Sequence, residues 1–410
     1  MTSRRESLAV LLASPFLALT RGGEAVAGPK PAAVGAGRPS DNFRLAGTYL
    51  NAAYIHPLPL DAAAAMHAYV EGRTDPVDVR PPGPSAKDLF AKLINASPGE
   101  IALVPSTSYG ESFVIGALGL QGDRRAKIVT DILHFDGSLY TLGELAKQGA
   151  ELTILPMGPD GRIDMNALEA AVDDRTRLVS ISLVSMVNGF EHDLKTVCEI
   201  AHRKGARVYV DAIQAAGAVP IDVRASGVDF MACSTFKWLM GDFGCGFLYV
   251  RQDLLPTLTR REFGYHQPEH LEYHFLPGDP PGKVLFEAAP DNKTAMGYFE
   301  VGSLGKAAEV AATVSLKNLL RIGVENIQDA RQPLMNSLCE RLSRTYRPLT
   351  PAGSKTSIVS FALVDAVGKL GDRIRESKIN IQLYDNRFRI SPSIYNTMED
   401  IDRVVGVLSA

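Results

Sequence analysis

From about residue 87 to residue 250 the chain alternates short runs rich in β-branched residues with stretches of helical period. The runs over 101–104, 127–130, 151–155, 178–184, 207–210, 230–232 and 246–250 predict seven strands. The helical patterns between them predict crossover units and a mostly parallel sheet. One intervening helix shows the logic in full. Asp193 stands where a cap belongs, Leu194, Val197, Cys198 and Ala201 follow the i, i+3, i+4, i+7 rule, and Gly205 ends the pattern. From 260 to about 297 this rhythm gives way to Pro, His and Gly, which predicts a long loop or lid and a domain boundary. Beyond it come an Ala-rich helical stretch over 302–322 and a strand, helix, strand, strand, helix pattern, in which Thr397 caps the last helix. The expected organisation is an N-terminal segment over 28–74 packing on two domains. These are a large α/β domain over 75–296, including the lid 260–296, and a smaller C-terminal α+β domain over 297–410.

A length of 410 residues with 46% hydrophobic content agrees with two domains. The net charge of -3, with both signs mixed along the chain, gives no footprint for nucleic acid and no polybasic membrane patch, so the expected partners are small molecules and copies of the chain itself. Cys198, Cys233, Cys245 and Cys339 lack metal-ligand spacing and read as buried free thiols, and no metal is expected. At the N-terminus, Ser3-Arg4-Arg5 precedes an apolar run over 7–19 and the small-x-small Ala25-Val26-Ala27. Residues 1–27 thus resemble a twin-arginine export signal, with Ser7 where an aromatic is common, and imply export to the periplasm. A cytoplasmic enzyme with a plain N-terminal tail is the alternative. The run is too short for stable membrane spanning.

Ligands of parallel α/β sheets bind at the carboxyl ends of the strands, so the polar residues that terminate apolar runs carry the chemistry. Asp211 ends one run and is followed by Gln214. Ser234-Thr235-Phe236-Lys237 follows another, before a glycine-rich return through Gly241, Gly244 and Gly246. Ser106-Thr107-Ser108 ends a third and opens a helix. These residue types suit pyridoxal 5'-phosphate (PLP). Lys237 supplies the amine that holds the aldehyde covalently and later moves protons at the substrate α-carbon. The Asp211 carboxylate keeps the pyridine nitrogen protonated. Thr107, Ser108 and Ser234 offer hydroxyls and helix N-terminal amides to the phosphate, and Gln214 reaches the phenolic oxygen.

At these residues the chain resembles the class V aminotransferase family of fold-type I PLP enzymes, which includes cysteine desulfurases, isopenicillin N epimerase and kynureninase. The resemblance runs from Tyr49-Leu50-Asn51-Ala52-Ala53 through Val210-Asp211-Ala212-Ile213-Gln214, Lys237-Trp238 and Phe299-Glu300-Val301-Gly302-Ser303 to the stretch from Arg389 to Thr397. It implies a homodimer in which Ser303 reaches the phosphate of the other subunit, and an Arg389 that grips the substrate carboxylate in a forked pair. An ion pair of Arg389 with Asp385 is the structural alternative. A gap-free match places His134 where the family stacks an aromatic ring on the cofactor, with Phe135 as the alternative. Asn51, Asn188 and Tyr265 are further candidates for substrate contact, Asn188 as a substitute for the asparagine that desulfurases carry at Met186.

The departures bear on the reaction. No cysteine lies beyond Cys339, although a desulfurase needs a mobile one shortly before Arg389, so persulfide chemistry is not expected. Phe236 replaces a hydrogen-bonding residue before the lysine. His266, His270 and His274 recur every fourth residue, but Pro268 argues against a metal-binding helix and for a solvated lid. The implied activity is transformation of a small amino acid at its α-carbon, isopenicillin N epimerase-like. A transaminase, a carbon-sulfur lyase and a PLP-binding protein without turnover are the alternatives.

Overall fold

The computed structural model describes residues 39–74 and 83–410. All seven expected strands form one sheet: β1 (Ile101–Val104), β2 (Lys127–Asp131), β3 (Glu151–Leu155), β4 (Thr176–Ser182), β5 (Arg207–Asp211), β6 (Phe230–Ser234) and β7 (Gly246–Val250). Their order across the sheet is β1-β7-β6-β5-β4-β2-β3, and only β7 runs antiparallel to its neighbours. Helices cover both faces, which is why the strands read as unbroken apolar runs. Along β5, Val208 and Val210 enter one core with Met231, Cys233 and Phe247, while Tyr209 enters the other with Phe230, Ala232 and Leu248.

Four helices matter for the site. Helices α1 (Leu60–Glu71) and α2 (Ala86–Leu93) precede the sheet. Helix α3 (Thr107–Ala117) starts directly after β1, capped by Ser106, whose hydroxyl accepts from the Tyr109 amide. Helix α4 (Asp136–Lys147) follows β2. The helix Leu194–Arg203 is capped by Asp193 as the pattern predicts.

The lid region forms a β-hairpin, β8 (Pro268–Tyr273) with β9 (Phe286–Pro290), instead of an irregular loop. Helix α5 (Lys306–Ile322) also departs from expectation, because Leu316 and Leu319 sit in the large-domain core and the helix packs on α1 and α2. The core of the small domain begins with α6 (Val324–Leu342), a helix that continues through Pro333 and that the strand pattern passes over. Its sheet, β10 (Arg347–Pro348), β11 (Val359–Ala362), β12 (Gln382–Leu383) and β13 (Arg387–Ile390), is antiparallel in the order β10-β11-β13-β12. The N-terminal segment touches both cores. Thr48–Tyr49 pairs with Ile379–Asn380 and Leu50 enters the small core, whereas Ala52 and Ala53 enter the large one. Residues 1–27 lie outside the described residues, and among the described ones no helix is long and apolar enough to cross a membrane.

Candidate active site

The carboxyl ends of β1, β5 and β6 bring the expected residues together. Ser234, the last residue of β6, and Thr107, the first of α3, share three contacts. The Thr107 amide donates to Ser234 Oγ at 2.8 Å, the Ser234 amide donates to Thr107 Oγ1 at 2.9 Å, and the two hydroxyls lie 3.0 Å apart. Ser108 stands exposed in the first turn of α3, where free amides favour an anion. The backbones approach closely here, since a Cβ on Gly110 would sit 2.7 Å from that of Ala232.

Lys237 lies in the turn after β6, where its carbonyl accepts from the Met240 amide while its amine makes no hydrogen bond among the described residues. Burial lowers its amine to about 8, Asp211 opposing and Arg389 reinforcing the shift. Asp211 ends β5 almost fully buried. Burial raises its carboxyl, while the neighbouring His134 and the Ile213 amide, which donates at 2.8 Å, hold it down. A buried carboxyl in that state gains from a cationic N–H partner.

Gln214 is fixed at both ends: Trp238 Nε1 donates to its Oε1 and its Nε2 donates to the Ala53 carbonyl, both at 2.9 Å. One Nε2 hydrogen remains for a ligand. Behind Trp238 the buried Arg331 guanidinium lies 5.9 Å from the indole and donates to the Ala218 carbonyl. This brace was not read in the sequence, where a helix next to Pro333 gave no signal for it.

Arg389, on β13, is 2% exposed and donates through Nη1 to the Met186 carbonyl at 3.0 Å. Its Nε has no partner, and the nearest aromatic is Tyr384 at 5.9 Å, not an Asp385 ion pair. Asn51 is next to it in the fold, donating to Asn380 Oδ1 at 3.0 Å with its own Oδ1 buried and unpartnered. One unpaired donor and one unpaired acceptor side by side suit a polar ligand.

Of the remaining candidates, His134 is enclosed by polar side chains and Asn188 is committed to other partners. His134 is 1% exposed, with Nδ1 2.8 Å from Ser182 Oγ and Nε2 3.1 Å from Ser180 Oγ. Phe135, half-buried at the entrance to α4, has its ring against Gly137. Burial lowers the His134 pKa, but the Glu111 carboxylate beside it, with Asp211 and Asp131 acting in the same direction, raises it overall. Glu111 and the buried Asp131–His192 pair, 3.2 Å apart, were missed in the sequence; Glu111 is a charge on an otherwise apolar helix, which is the available signal. Asn188 is fully buried, donating to the Gly161 and Leu349 carbonyls and accepting from the Phe190 amide. It ties large-domain loops to the small domain and leaves no atom for substrate. Tyr265 and Ser303 are hydrogen-bonded to each other on the exposed surface, with Tyr265 62% exposed.

The amine, carboxyl and hydroxyl cradle at the strand ends define a PLP-dependent enzyme of fold-type I. The family model "Aminotransferase class-V" matches residues 84–404, and the chain belongs to that family. Over 326 residues it is 28% identical to an uncharacterized aminotransferase of Bacillus subtilis, covering 79% of this chain and 82% of that one. Over 293 residues it is 30% identical to a probable cysteine desulfurase of Methanothermobacter thermautotrophicus, covering 68% of each. The fold is also that of a cystine C-S lyase solved with its product cysteine persulfide, at TM-score 0.74 and 20% identity over 88% of this chain and 97% of that one.

PLP is the cofactor, and when bound it supplies an electron-withdrawing ring that stabilises negative charge at the substrate α-carbon. Lys237 would hold it covalently, Asp211 would face its ring nitrogen, and Thr107, Ser108 and Ser234 would take its phosphate.

Proposed function

We propose that the enzyme binds a small amino acid through Arg389 and moves the proton at its α-carbon with Lys237, in an isopenicillin N epimerase-like reaction. The observation that carries this reading is the placement of one buried, hydrogen-bond-free amine, lowered to about 8, within electrostatic reach of both Asp211 and Arg389. Such an amine takes and returns a proton near neutral pH. Arg389 orients the carboxylate with its unused Nε and remaining guanidinium N–H groups, and Asn51 closes the same end. The test is α-hydrogen exchange in D2O across a panel of amino acids, followed by NMR. Exchange with inversion, absent in Lys237→Ala, is the expected result; exchange independent of Lys237 contradicts the proposal.

Carbon-sulfur bond cleavage by β-elimination is the second reading, and the state of the thiols favours it over persulfide transfer. Burial pushes Cys198 and Cys245 up to about 12, Cys233 well above its usual range, and Cys339 upward. None is a ready thiolate. Release of pyruvate and ammonia together with free sulfide from cysteine, or with cysteine persulfide from cystine, would select this branch.

We also propose a homodimer, supported by exposed Phe263, Tyr265, Phe275 and Leu285 around the hairpin, with Ser303 and Tyr265 serving the neighbouring subunit's site. Export of the folded holoenzyme by residues 1–27 is part of the same proposal. A reporter fused to these residues is expected to leave the cytoplasm, and to stay inside with Arg4→Lys and Arg5→Lys.

A further inference from the structure

The hairpin carries a side-chain cluster outside the site described above. Glu272 on β8 and Glu287 on β9 are directly opposed across the antiparallel pair, an arrangement of like charges that destabilises a sheet unless something lies between them. His274 is two residues beyond Glu272, on the same face. One nitrogen or oxygen from each of Glu272, His274 and Glu287 falls within a span of 4.8 Å.

The state of His274 makes this more than an acidic pair. Its Nδ1 lies 2.7 Å from the Pro280 carbonyl oxygen. A carbonyl only accepts, so Nδ1 holds the ring proton and the lone pair of the neutral ring is on Nε2. That Nε2 is buried, makes no hydrogen bond, and lies 4.0 Å from Glu287 Oε2, in a side chain only 4% exposed. Gly282 roofs the imidazole, since a Cβ there would fall 2.4 Å from the ring. His270, on the same strand face, lies 3.3 Å from Glu272 and orients that carboxylate. A carbonyl that holds one ring nitrogen, a bare lone pair on the other and two facing carboxylates are the elements of a divalent metal site.

We propose that Glu272, His274 and Glu287 bind a divalent transition ion of the zinc type and clip the base of the hairpin tip. One imidazole nitrogen and two carboxylate oxygens, with water in the fourth position, match zinc's preference. The two glutamates are partly exposed and swing inward to close the site.

The test uses tag-free, full-length holoenzyme, freed of metal by a chelator and dialysed against Zn2+ in buffer without amino acids. The expected result is one Zn2+ per chain, bound more than about tenfold more weakly after Glu287→Gln, Glu272→Gln or His274→Ala. The glutamine variants keep side-chain size, so circular dichroism unchanged from the parent separates lost ligation from lost folding. Co2+ in place of Zn2+ should give the visible absorption of a four-coordinate ion in the parent alone. Zn2+ uptake equal in the parent and in folded Glu287→Gln, or no stoichiometric uptake in the parent, overturns the proposal.

Discussion

Lys237 does its work as a neutral amine, and its surroundings decide when it is neutral. An ordinary lysine at about 10.4 has almost no free base at pH 7. With the amine lowered to about 8, roughly a tenth is free at pH 7 and most of it at pH 9. Covalent PLP uptake by the apoprotein is therefore expected to speed up between pH 7 and 9 and then level off. A rate still climbing through pH 10, followed by the growth of cofactor absorbance, would contradict the burial argument. Arg389 makes a separate prediction. Arg389→Ala removes a charge-assisted pair worth on the order of 1.5–3 kcal/mol, which should raise KM for carboxylate substrates by tenfold or more while PLP affinity stays near that of the parent. Asp211, Gln214, Ser234 and Lys237 were readable because Asp211 and Ser234 each end a strong apolar run and Gln214 and Lys237 follow them by three residues. For the stacking ring the sequence offers two consecutive candidates, His134 and Phe135, and no pattern distinguishes which of them turns to the cleft. Asn188 was misread because its partners, Gly161 and Leu349, are remote in sequence.

The same remoteness acts at the scale of elements. Strands β1, β2 and β4 to β7 were legible because both faces are covered, so each is a short apolar run bounded by helical period, while the edge strand β3 is partly exposed. The β8–β9 hairpin was not, because its exposed strands mix His, Glu and Pro without alternation. Helix α5 was assigned by its order in the chain, yet its Leu316 and Leu319 belong to the large core, a fact set by tertiary packing on α1 and α2. The loops joined by Asn188 give a test at this scale. Asn188→Ala leaves the Phe190 amide and two carbonyls unsatisfied, at about 1–3 kcal/mol each at most. A clearly lower urea midpoint with KM unchanged is expected; unchanged stability with a large rise in KM would return Asn188 to the substrate.

In the whole molecule, the N-terminal segment and β13 meet where the two domains meet, so the Lys237 amine and the Arg389 guanidinium come from different cores: Lys237 follows β6, and Arg389 is braced against Met186 across the domain boundary. No free thiol shares that boundary with Arg389 and Lys237 in a reactive state. Cys339 packs in α6 with Leu338 and Leu342. Cys339→Ala is therefore expected to keep turnover within about twofold of the parent, since a half-buried thiol-to-methyl change costs little, and mass spectrometry should find no persulfide on it after incubation with cysteine. The central claim is that one lysine carries the cofactor. Borohydride reduction of the purified holoenzyme, followed by peptide mapping, should place the pyridoxyl group on Lys237 alone, and Lys237→Ala should retain no covalent cofactor. A pyridoxyl group on any other lysine of the native enzyme would contradict the account.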